Sequence, residues 1–238
     1  MEKVQKYHKA QIRLISKKTF WNTYDNLGRL LLMNFMTVVL SLTIIGIPFA
    51  AIGLFAASRK MVSYEEVEMK DFWRHWQPFW KRGVALAAIL IFVFILMLVN
   101  LRFYLDMLGS AGASGAASAV LSLIFGLVIW LFIFFCMLLP YVFPVLIAID
   151  ATIKTTLRNS FFLMLDNLKV SIYLLINCLA WLSLGLFTGG LLALFLSLSA
   201  IAVMSSTALR EVLKQYEQSE PDEEEEVRGF RDLIKPWG

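Results

Sequence analysis

The sequence predicts an all-α integral membrane protein of about six transmembrane helices, arranged as three hairpin-like units that each follow a cytoplasmic interfacial amphipathic helix. Two observations predict this class. Of the 238 residues, 59% are hydrophobic and only 17% are charged, whereas a soluble domain carries about 25% charged residues. The charges are also segregated, because uncharged apolar runs long enough to span a membrane recur. These runs are Leu30–Ser58, Gly83–Leu101, Met107–Ile149 and Val170–Leu209.

The first run, Leu30–Ser58, is long for one span and short for two. Gly46-Ile47-Pro48 interrupts it near its middle, and one crossing needs about 20 helical residues. Lys and Arg favour cytoplasmic loops, and both flanking segments, 1–18 and 59–82, are basic. The chain should therefore enter the membrane and return. We interpret the run as a short hairpin or a re-entrant pair that turns at Gly46–Pro48.

The second and third runs predict one helix each. Gly83–Leu101 has the length of one span. Met107–Ile149 begins with a loop of small residues, Gly109–Ser118, and one long helix should follow it. Pro140 and Pro144 lie in the last part of that helix and should kink it.

The fourth run, Val170–Leu209, is too long for one span and holds the turn signal Thr188-Gly189-Gly190 near its middle. It predicts a hairpin of two helices. With six helices, both termini lie in the cytoplasm, and of the 22 Lys and Arg only Arg102 lies outside. The other predicted cytoplasmic segments are 59–82, 150–169 and 210–238.

The tripeptide Asp-Asn-Leu occurs at two borders between polar and apolar chain, at 25–27 and at 166–168. Asp or Asn at such a border suits the N-cap of the spanning helix that follows, and a carboxylate suits the positive end of the helix dipole. Asp25, Asn26, Asp166 and Asn167 are therefore candidate structural elbows. The alternative is that these elbows bind a partner or a ligand.

Each predicted unit begins with apolar or aromatic residues at helical spacing beside basic residues, which indicates a helix in the membrane interface. The three stripes are Phe20, Tyr24 and Leu27; Phe72, Trp76 and Phe79; and Leu157, Phe161, Met164, Leu165 and Leu168. Because Trp favours this depth, the predicted interfacial anchors are Trp21, Trp73, Trp76, Trp80 and Trp237.

Three asparagines within the apolar runs are candidate intramembrane polar contacts: Asn34, Asn100 and Asn177. We expect hydrogen bonds between helices at these positions. The alternative is that they line a path for a polar substrate.

The predicted domain organisation has three parts. Residues 1–18 form a basic cytoplasmic segment that should contact anionic lipids, and nucleic-acid binding is not expected. Residues 19–210 form the transmembrane helical domain. Residues 211–238 form a cytoplasmic tail with an acidic linker, Glu220–Glu226, and a short amphipathic end. That end could dock on lipid, on this chain or on another protein.

The segment FWNTYDNLGRLLLMNF, the following Gly/Pro break, the segment GLFAASRKMV and the C-terminal GFRDLIKPWG resemble the YesL-like family of bacterial integral membrane proteins, a domain of unknown function. The resemblance implies a protein of the bacterial cytoplasmic membrane. Members of that family are often encoded near genes for sugar uptake and polysaccharide utilisation. It implies no catalytic residues.

Motifs for catalysis, metal binding or cofactor binding are missing from the sequence. The histidines, His8 and His75, do not stand in metal-ligand spacing, and no phosphate-binding loop of the type G-x-x-x-x-G-K-[ST] occurs. We therefore expect no enzymatic activity and no cofactor. The leading hypothesis is a non-enzymatic accessory of carbohydrate uptake that works with a sugar-transporter permease. The alternatives are a small autonomous transporter or channel, and a membrane enzyme or scaffold.

Overall fold

A computed structural model of the protein describes residues 2–43, 45–74, 77–110 and 116–216, and within these ranges the regular structure is entirely helical. The all-α prediction is therefore confirmed. The helices are α1 (Glu2–Asp25), α2 (Leu27–Ser41), α3 (Gly46–Val62), α4 (Met69–Arg74), α5 (Trp80–Ser110), α6 (Ala116–Ile149), α7 (Ile153–Asp166), α8 (Leu168–Phe187) and α9 (Leu198–Tyr216), with a π-helical segment at Ala193–Ser197.

Four of the helices in the described part of the chain are long and apolar enough to cross a membrane. They are Trp80–Gly109 in α5, Ser118–Ile149 in α6, Leu168–Phe187 in α8 and Phe195–Tyr216, which includes α9. The first charge-free run instead forms two shorter helices, α2 with 15 residues and α3 with 17. At 1.5 Å per residue these measure about 22 and 26 Å, which is less than the ~30 Å hydrocarbon core of a bilayer.

The turn between α2 and α3 precedes the predicted one. Of the residues between the two helices the structure describes 42, 43 and 45, whereas Gly46 and Pro48 lie in the first turn of α3. Proline suits that position because the first turn of a helix needs no amide donor there. Glycine is required at 46, since a Cβ would lie only 2.0 Å from the carbonyl oxygen of Leu40. The predicted turning point at Gly46–Pro48 was therefore wrong by a few residues.

The predicted amphipathic stripe of Phe72, Trp76 and Phe79 does not lie on one helix. α4 ends at Arg74 after 6 residues, and a turn at 77–79 precedes α5. Pro78 explains the break, because the residue before a proline is disfavoured in helical conformation. Phe72 is also buried in a core cluster with Met61 and Val67 rather than exposed on a surface. Trp76 lies outside the described residues.

Two predicted borders fall within helices. α1 continues through residue 18, and α9 continues through residue 210 to Tyr216. The remainder of the predicted tail, residues 217–238 with the acidic linker and Trp237, lies outside the described residues. The loop predicted at Gly109–Ser118 is shortened by the helices on both sides, since α5 extends to Ser110 and α6 begins at Ala116.

α9 is the central helix of the bundle and packs against α1, α2, α3, α6 and α8. One of its faces contributes Met204, Ala208 and Val212 to a core with Tyr141 of α6 and Leu174 of α8. Another contributes Ala202 and Val203 to a core with residues of α2 and α3. α5 packs mainly against α6. The helix with the most neighbours is therefore the last one in the described chain.

Candidate functional site

The C-terminal ends of α3, α6 and α9 meet at one end of the bundle, beside α4, α7 and the start of α5. We call this region the helix-end layer and define it as residues 59–74, 77–82, 147–167 and 206–216. It contains the charged and hydrogen-bonding groups that link different helices to one another. Two of the residues that make these links, Arg59 and Arg210, also line a cavity between the helix ends.

Three arginines in this layer each donate to a backbone carbonyl group at or just after the end of another helix. Carbonyl groups in the last turn of a helix lack intrahelical partners. Arg59 of α3 donates from Nη1 to the carbonyl oxygen of Ile147 at 2.6 Å. Arg210 of α9 donates from Nη1 to the carbonyl oxygen of Val62. Arg82 of α5 donates to the carbonyl oxygen of Ala151 at 3.0 Å. The ends of four helices are thereby held together by side chains.

Two non-glycine residues with left-handed backbone conformation lie within two residues of the ends of α3 and α6. They are Tyr64, with φ of 58°, and Asp150, with φ of 50°. Arginines hold both: the Arg210 guanidinium lies 5.6 Å from the Tyr64 ring centroid, and Arg82 Nη2 donates to Asp150 Oδ1 at 2.6 Å. Such a conformation costs on the order of 1 kcal/mol or more and is common at functional sites. This strain marks the helix-end layer as the candidate site.

A cavity of about 470 Å³ opens between these helix ends. We call it the basic cavity, because its lining includes Arg59, Arg210 and Lys214 and, among the described lining residues, neither Asp nor Glu. The other lining residues are Val62, Ser63, Pro144, Ala148, Ser206, Leu209 and Leu213. Positive charge therefore comes from α3 and α9, while α6 contributes apolar surface.

A second cavity, of about 490 Å³, adjoins the basic cavity, since Leu213 lines both. We call it the apolar cavity. Its lining is mostly apolar and comes largely from α7, with Phe162, Leu163 and Leu165 among its members. The two cavities together place cationic and apolar surface side by side in the helix-end layer.

A buried ion pair lies on a different face of α9 from the basic cavity. Lys18 Nζ is 3.0 Å from Glu211 Oε1, and the two side chains are only 6% and 7% exposed. The pair joins α1 to α9 in the interior. Sequence reasoning missed it, because the partners are 193 residues apart. The sequence feature that could have indicated it is Glu211, an acidic residue near the end of Phe195–Tyr216, the least apolar of the four candidate spans.

Both predicted elbows separate two helices, but their asparagines do not cap the helix that follows. Neither Asn26 nor Asn167 makes a side-chain capping hydrogen bond to the next helix. Asn26 Nδ2 instead donates back to the carbonyl oxygen of Asn22 at 3.1 Å, and Asn167 Nδ2 to that of Leu163 at 3.2 Å. The predicted N-cap role was wrong for these residues, because the amide donor satisfies a free carbonyl at the end of the preceding helix.

The two elbow aspartates have different surroundings. Asp25 is the last residue of α1. Asp166 Oδ2 accepts a hydrogen bond from the Tyr216 hydroxyl, which also lies 3.2 Å from Asn167 Nδ2. The second elbow is therefore attached to the end of α9. Ligand binding at the elbows stays a prediction.

The three predicted intramembrane asparagines have different partners. Asn34 is fully buried, and its Oδ1 accepts from the backbone amide of Ser199 at 2.7 Å, which is the expected bond between helices. Asn100 Nδ2 donates within its own helix to Leu96, and Asn177 Nδ2 donates within its own helix to Tyr173, both at 2.8 Å. Asn177 also lines a third cavity, of about 300 Å³, between α1, α8 and α9.

The predicted tryptophan anchors divide into two described groups. Trp73 and Trp80 are exposed, and their role as membrane anchors stays a prediction. Trp21 is only 8% exposed, since it lies on the packed side of α1, and its ring meets Phe20 and Tyr24 edge to face. Its predicted place at an exposed interface was therefore wrong. Trp76 and Trp237 lie outside the described residues.

Comparison with known proteins gives one similarity. Residues 30–101 match a family described as a protein of unknown function, DUF624. This segment includes α3, α4, most of α2 and most of α5, and it contributes Arg59, Val62 and Ser63 to the basic cavity. Neither a curated protein nor a solved structure matches the chain. The chain is therefore similar, over its first charge-free run and the segment that follows, to an uncharacterised domain family.

Proposed function

We propose that this chain is a non-enzymatic, multi-pass membrane protein that assists a separate solute transporter, with carbohydrate as the solute class. One observation supports this role over autonomous transport. Several polar groups within the bundle, among them Asn34, bond to neighbouring helices, whereas cavities lined by basic and apolar residues occur in the helix-end layer. The interior is built to hold helices together, and the helix-end layer offers the surface on which another molecule can act.

The interior polar groups illustrate this division. Asn34 accepts from the Ser199 amide at 2.7 Å. The Tyr141 and Ser171 hydroxyls are hydrogen-bonded at 2.9 Å. The Ser197 hydroxyl donates to the Trp181 carbonyl at 3.1 Å. Each of these groups is used in helix association, which is the common role of polar groups inside membrane bundles.

The proposal includes a topology of six crossings in three units, α2–α3, α5–α6 and α8–α9, in the bacterial cytoplasmic membrane. The helix-end layer and both termini lie in the cytoplasm, where basic side chains are favoured and where anionic lipid headgroups lie within reach. α2 and α3 are short, so their crossing takes the form of a re-entrant pair or requires a locally thin bilayer.

The solute class rests on the YesL-like resemblance of the N-terminal and C-terminal segments. The match of residues 30–101 to a family of unknown function agrees with an uncharacterised membrane protein and adds nothing about the solute. A sugar-transporter permease is accordingly the partner to be tested.

Site-specific cross-linking in the native membrane tests the partner. A photoreactive residue replaces Phe162, which is exposed on α7, or Phe92, which is exposed on α5. We expect a sugar-transporter permease to be captured in near-equal amount from position 162 and uptake of its sugar to fall when this chain is deleted. Capture of lipid alone from position 162, with normal uptake after deletion, would contradict the proposal. Position 92 is the control for contact with bulk lipid.

A cysteine-labelling experiment tests the topology. In a chain with Cys136→Ala and Cys178→Ala, a cysteine at Glu66 and one at Thr188 should differ in their access to an impermeant thiol reagent. We expect labelling of Thr188→Cys from outside the cell and of Glu66→Cys only after permeabilisation. Labelling of Glu66→Cys from outside would contradict the proposal that the chain enters the membrane in α2 and returns to the cytoplasm in α3.

An autonomous transporter is the second candidate, because Asn177 lines the third cavity together with Ser16 and Thr19. Reconstitution of the purified chain alone in liposomes separates the two candidates. Sugar uptake by these liposomes, abolished by Asn177→Leu and unchanged by Asn100→Leu, would favour the autonomous transporter. We expect no uptake without the permease.

A further inference from the structure

We propose that the apolar cavity is the docking site for the amphipathic end of this chain's own tail, residues 228–237, which lie outside the described residues. The cavity measures about 490 Å³, within the usual ~300–1,000 Å³ of ligand sites. Its lining exposes large apolar side chains, since Ile149, Phe162 and Leu165 are 42%, 58% and 37% exposed. A group of exposed apolar side chains around a concave surface is typical of a surface that another molecule or segment covers.

The tail begins beside this cavity. Tyr216, the last residue of α9, is itself part of the lining. Its hydroxyl donates to Asp166 Oδ2 and lies 3.2 Å from Asn167 Nδ2. These contacts attach the end of α9 to the elbow between α7 and α8, so the point from which the tail starts is fixed at the edge of the cavity.

The spacer between Tyr216 and Phe230 is long enough to reach the cavity and short enough to keep the amphipathic end near it. It has 13 residues, 217–229. A flexible chain of this length spans about 20 Å on average, and repulsion between its charges extends it further. Such a tether holds the attached segment at an effective concentration on the order of mM. Weak contacts in the cavity are therefore sufficient for docking.

The apolar pattern of the end suits the cavity. Phe230, Leu233 and Ile234 recur at positions i, i+3 and i+4, which is the spacing with which amphipathic segments enter apolar grooves. The cavity lining offers them apolar partners from α7 and α9, among them Leu163 and Leu213. The end therefore has apolar side chains of the kind that the exposed part of the lining needs to be covered.

The charges of the two surfaces are also complementary. Arg228, Arg231 and Lys235 accompany the apolar residues of the end, against the single acidic residue Asp232. Asp166 is the only charged residue among the described residues of the lining, and it is acidic. Charges of opposite sign at the edge of an apolar contact guide the orientation in which the two surfaces meet.

The composition of the spacer favours this cavity over lipid as the surface on which the end docks. Residues 217–226 include seven acidic side chains and no basic one. In the topology proposed above the tail is cytoplasmic, and the cytoplasmic leaflet carries negative charge. Insertion of the end into that leaflet would bring the acidic spacer against like charge, whereas docking in the cavity does not require this.

Cross-linking within the full chain tests the docking. In a chain with Cys136→Ala and Cys178→Ala, Asp232→Cys places a thiol beside the apolar residues of the end without removing them. The second thiol is introduced by Phe162→Cys, in the lining, or by Phe161→Cys. Phe161 is the matched control position, because it is also an exposed phenylalanine of α7 and lies outside the described lining.

With a short bismaleimide in native membranes, we expect a link within one chain that forms about tenfold faster from position 162 than from position 161, because proximity sets the rate of such a reaction. Leu233→Ser with Ile234→Ser should lower the yield from position 162 about tenfold, since it removes the apolar contacts of the docked end. Val227→Ser in the spacer is the matched control and should leave that yield unchanged.

A link of equal yield from positions 161 and 162 would overturn the proposal, as would a yield that Leu233→Ser with Ile234→Ser leaves unchanged. Linkage between two chains, which doubles the mass, would overturn it by assigning the cavity to a second copy. The absence of any link from position 162 would overturn it by leaving the cavity to lipid. The docking does not rest on a role in solute uptake, and the two proposals can fail separately, because capture of a permease adds the mass of another protein and this link does not.

Discussion

The helices α5 and α6 on one side and α9 on the other reverse the relation between hydropathy and burial that holds in soluble proteins. The most apolar windows of α5 and α6 have mean hydropathies of 3.0 and 2.8, yet only 17% and 11% of their residues are buried. The corresponding window of α9 has a mean hydropathy of 1.3, and 72% of it is buried. The least apolar candidate span is thus the one that the other helices surround.

The difference follows from the solvent that a membrane provides. Lipid tails are as apolar as leucine, so apolar side chains gain little by leaving lipid for the interior. Small and polar residues gain more, because they permit close helix packing and find hydrogen-bond partners there. The buried residues of α9 are of this kind and include Ser199, Ala202, Ser205, Thr207, Ala208 and Glu211. In this protein the more apolar helices, α5 and α6, are the more exposed ones, and α9, whose buried face is rich in small and polar residues, lies at the centre of the bundle.

The largest effect is expected at the ion pair between Lys18 and Glu211. Lys18→Met or Glu211→Leu alone removes one partner of the pair and leaves the other charge buried, so each should lower the free energy of unfolding by about 3–5 kcal/mol. The double variant Lys18→Met/Glu211→Leu should recover most of the loss, because it removes both charges. Chemical unfolding in detergent micelles measures the three values.

The pair between Arg102 and Asp106 on α5 is the matched control. Its atoms Nε and Oδ2 are 3.2 Å apart, but the side chains are 77% and 60% exposed. An exposed pair of this type contributes about 0.5 kcal/mol or less, so Arg102→Met should have little effect. If Lys18→Met cost no more than Arg102→Met, the contrast between the two regions would be lost.

The sequence alone was sufficient for the long apolar helices and for one of the sharp turns. Long charge-free runs predicted the apolar parts of α5, α6 and α8, because a helix that spans a membrane excludes charge from its central part. The turn at Thr188–Gly190 was also predicted, and Gly189 and Gly190 do have positive φ, of 65° and 90°. These features depend on local chemistry, which a single sequence displays directly.

The features that depend on packing could not be predicted in this way. The centrality of α9 depends on contacts with residues far away in the chain, such as Lys18. Trp21 resembles an interfacial anchor by residue type, but the side of α1 on which it lies is packed. The basic cavity joins Arg59 with Arg210 and Lys214, which are close only after the ends of α3 and α9 meet. Each of these three features depends on how one helix is positioned against another, and the composition of the sequence does not determine that position.

A smaller effect is expected at Asn34, which can be compared with Asn100. Asn34→Leu removes the acceptor of the Ser199 amide, so the folded state should lose about 1–2 kcal/mol. Asn100 donates only to Leu96 in its own helix among the described contacts, so Asn100→Leu should stay within about 0.5 kcal/mol of the unmodified chain. Chemical unfolding of both variants checks the difference, and equal losses would contradict the assignment of Asn34 as the interhelical contact.

The smallest effects, of opposite sign, are expected for two glycines. Gly53 of α3 lies in a tightly packed contact, and Gly126 of α6 faces open space. A Cβ at Gly53 of α3 would lie 2.8 Å from the carbonyl oxygen of Phe72, a backbone atom that cannot rotate away. Gly53→Ala should therefore push α3 from α4 and lower stability by about 1 kcal/mol or more. A Cβ at Gly126 of α6 would meet nothing within 4 Å, so Gly126→Ala should raise stability by up to about 1 kcal/mol through helix propensity.

The sign of the two glycine effects carries the argument, because helix propensity favours alanine at both positions. A loss at Gly53 then indicates the close approach of Phe72, whose carbonyl oxygen and ring carbons Cδ2 and Cε2 would lie 2.8, 3.2 and 3.2 Å from the added Cβ, and thermal unfolding in micelles measures it directly. A gain at both positions would show that α3 and α4 separate easily, and the helix-end layer would not be the tightly held region that its arginine contacts indicate. A loss at Gly126 would show instead that another surface covers this face of α6, although among the described residues nothing lies within 4 Å of the added Cβ.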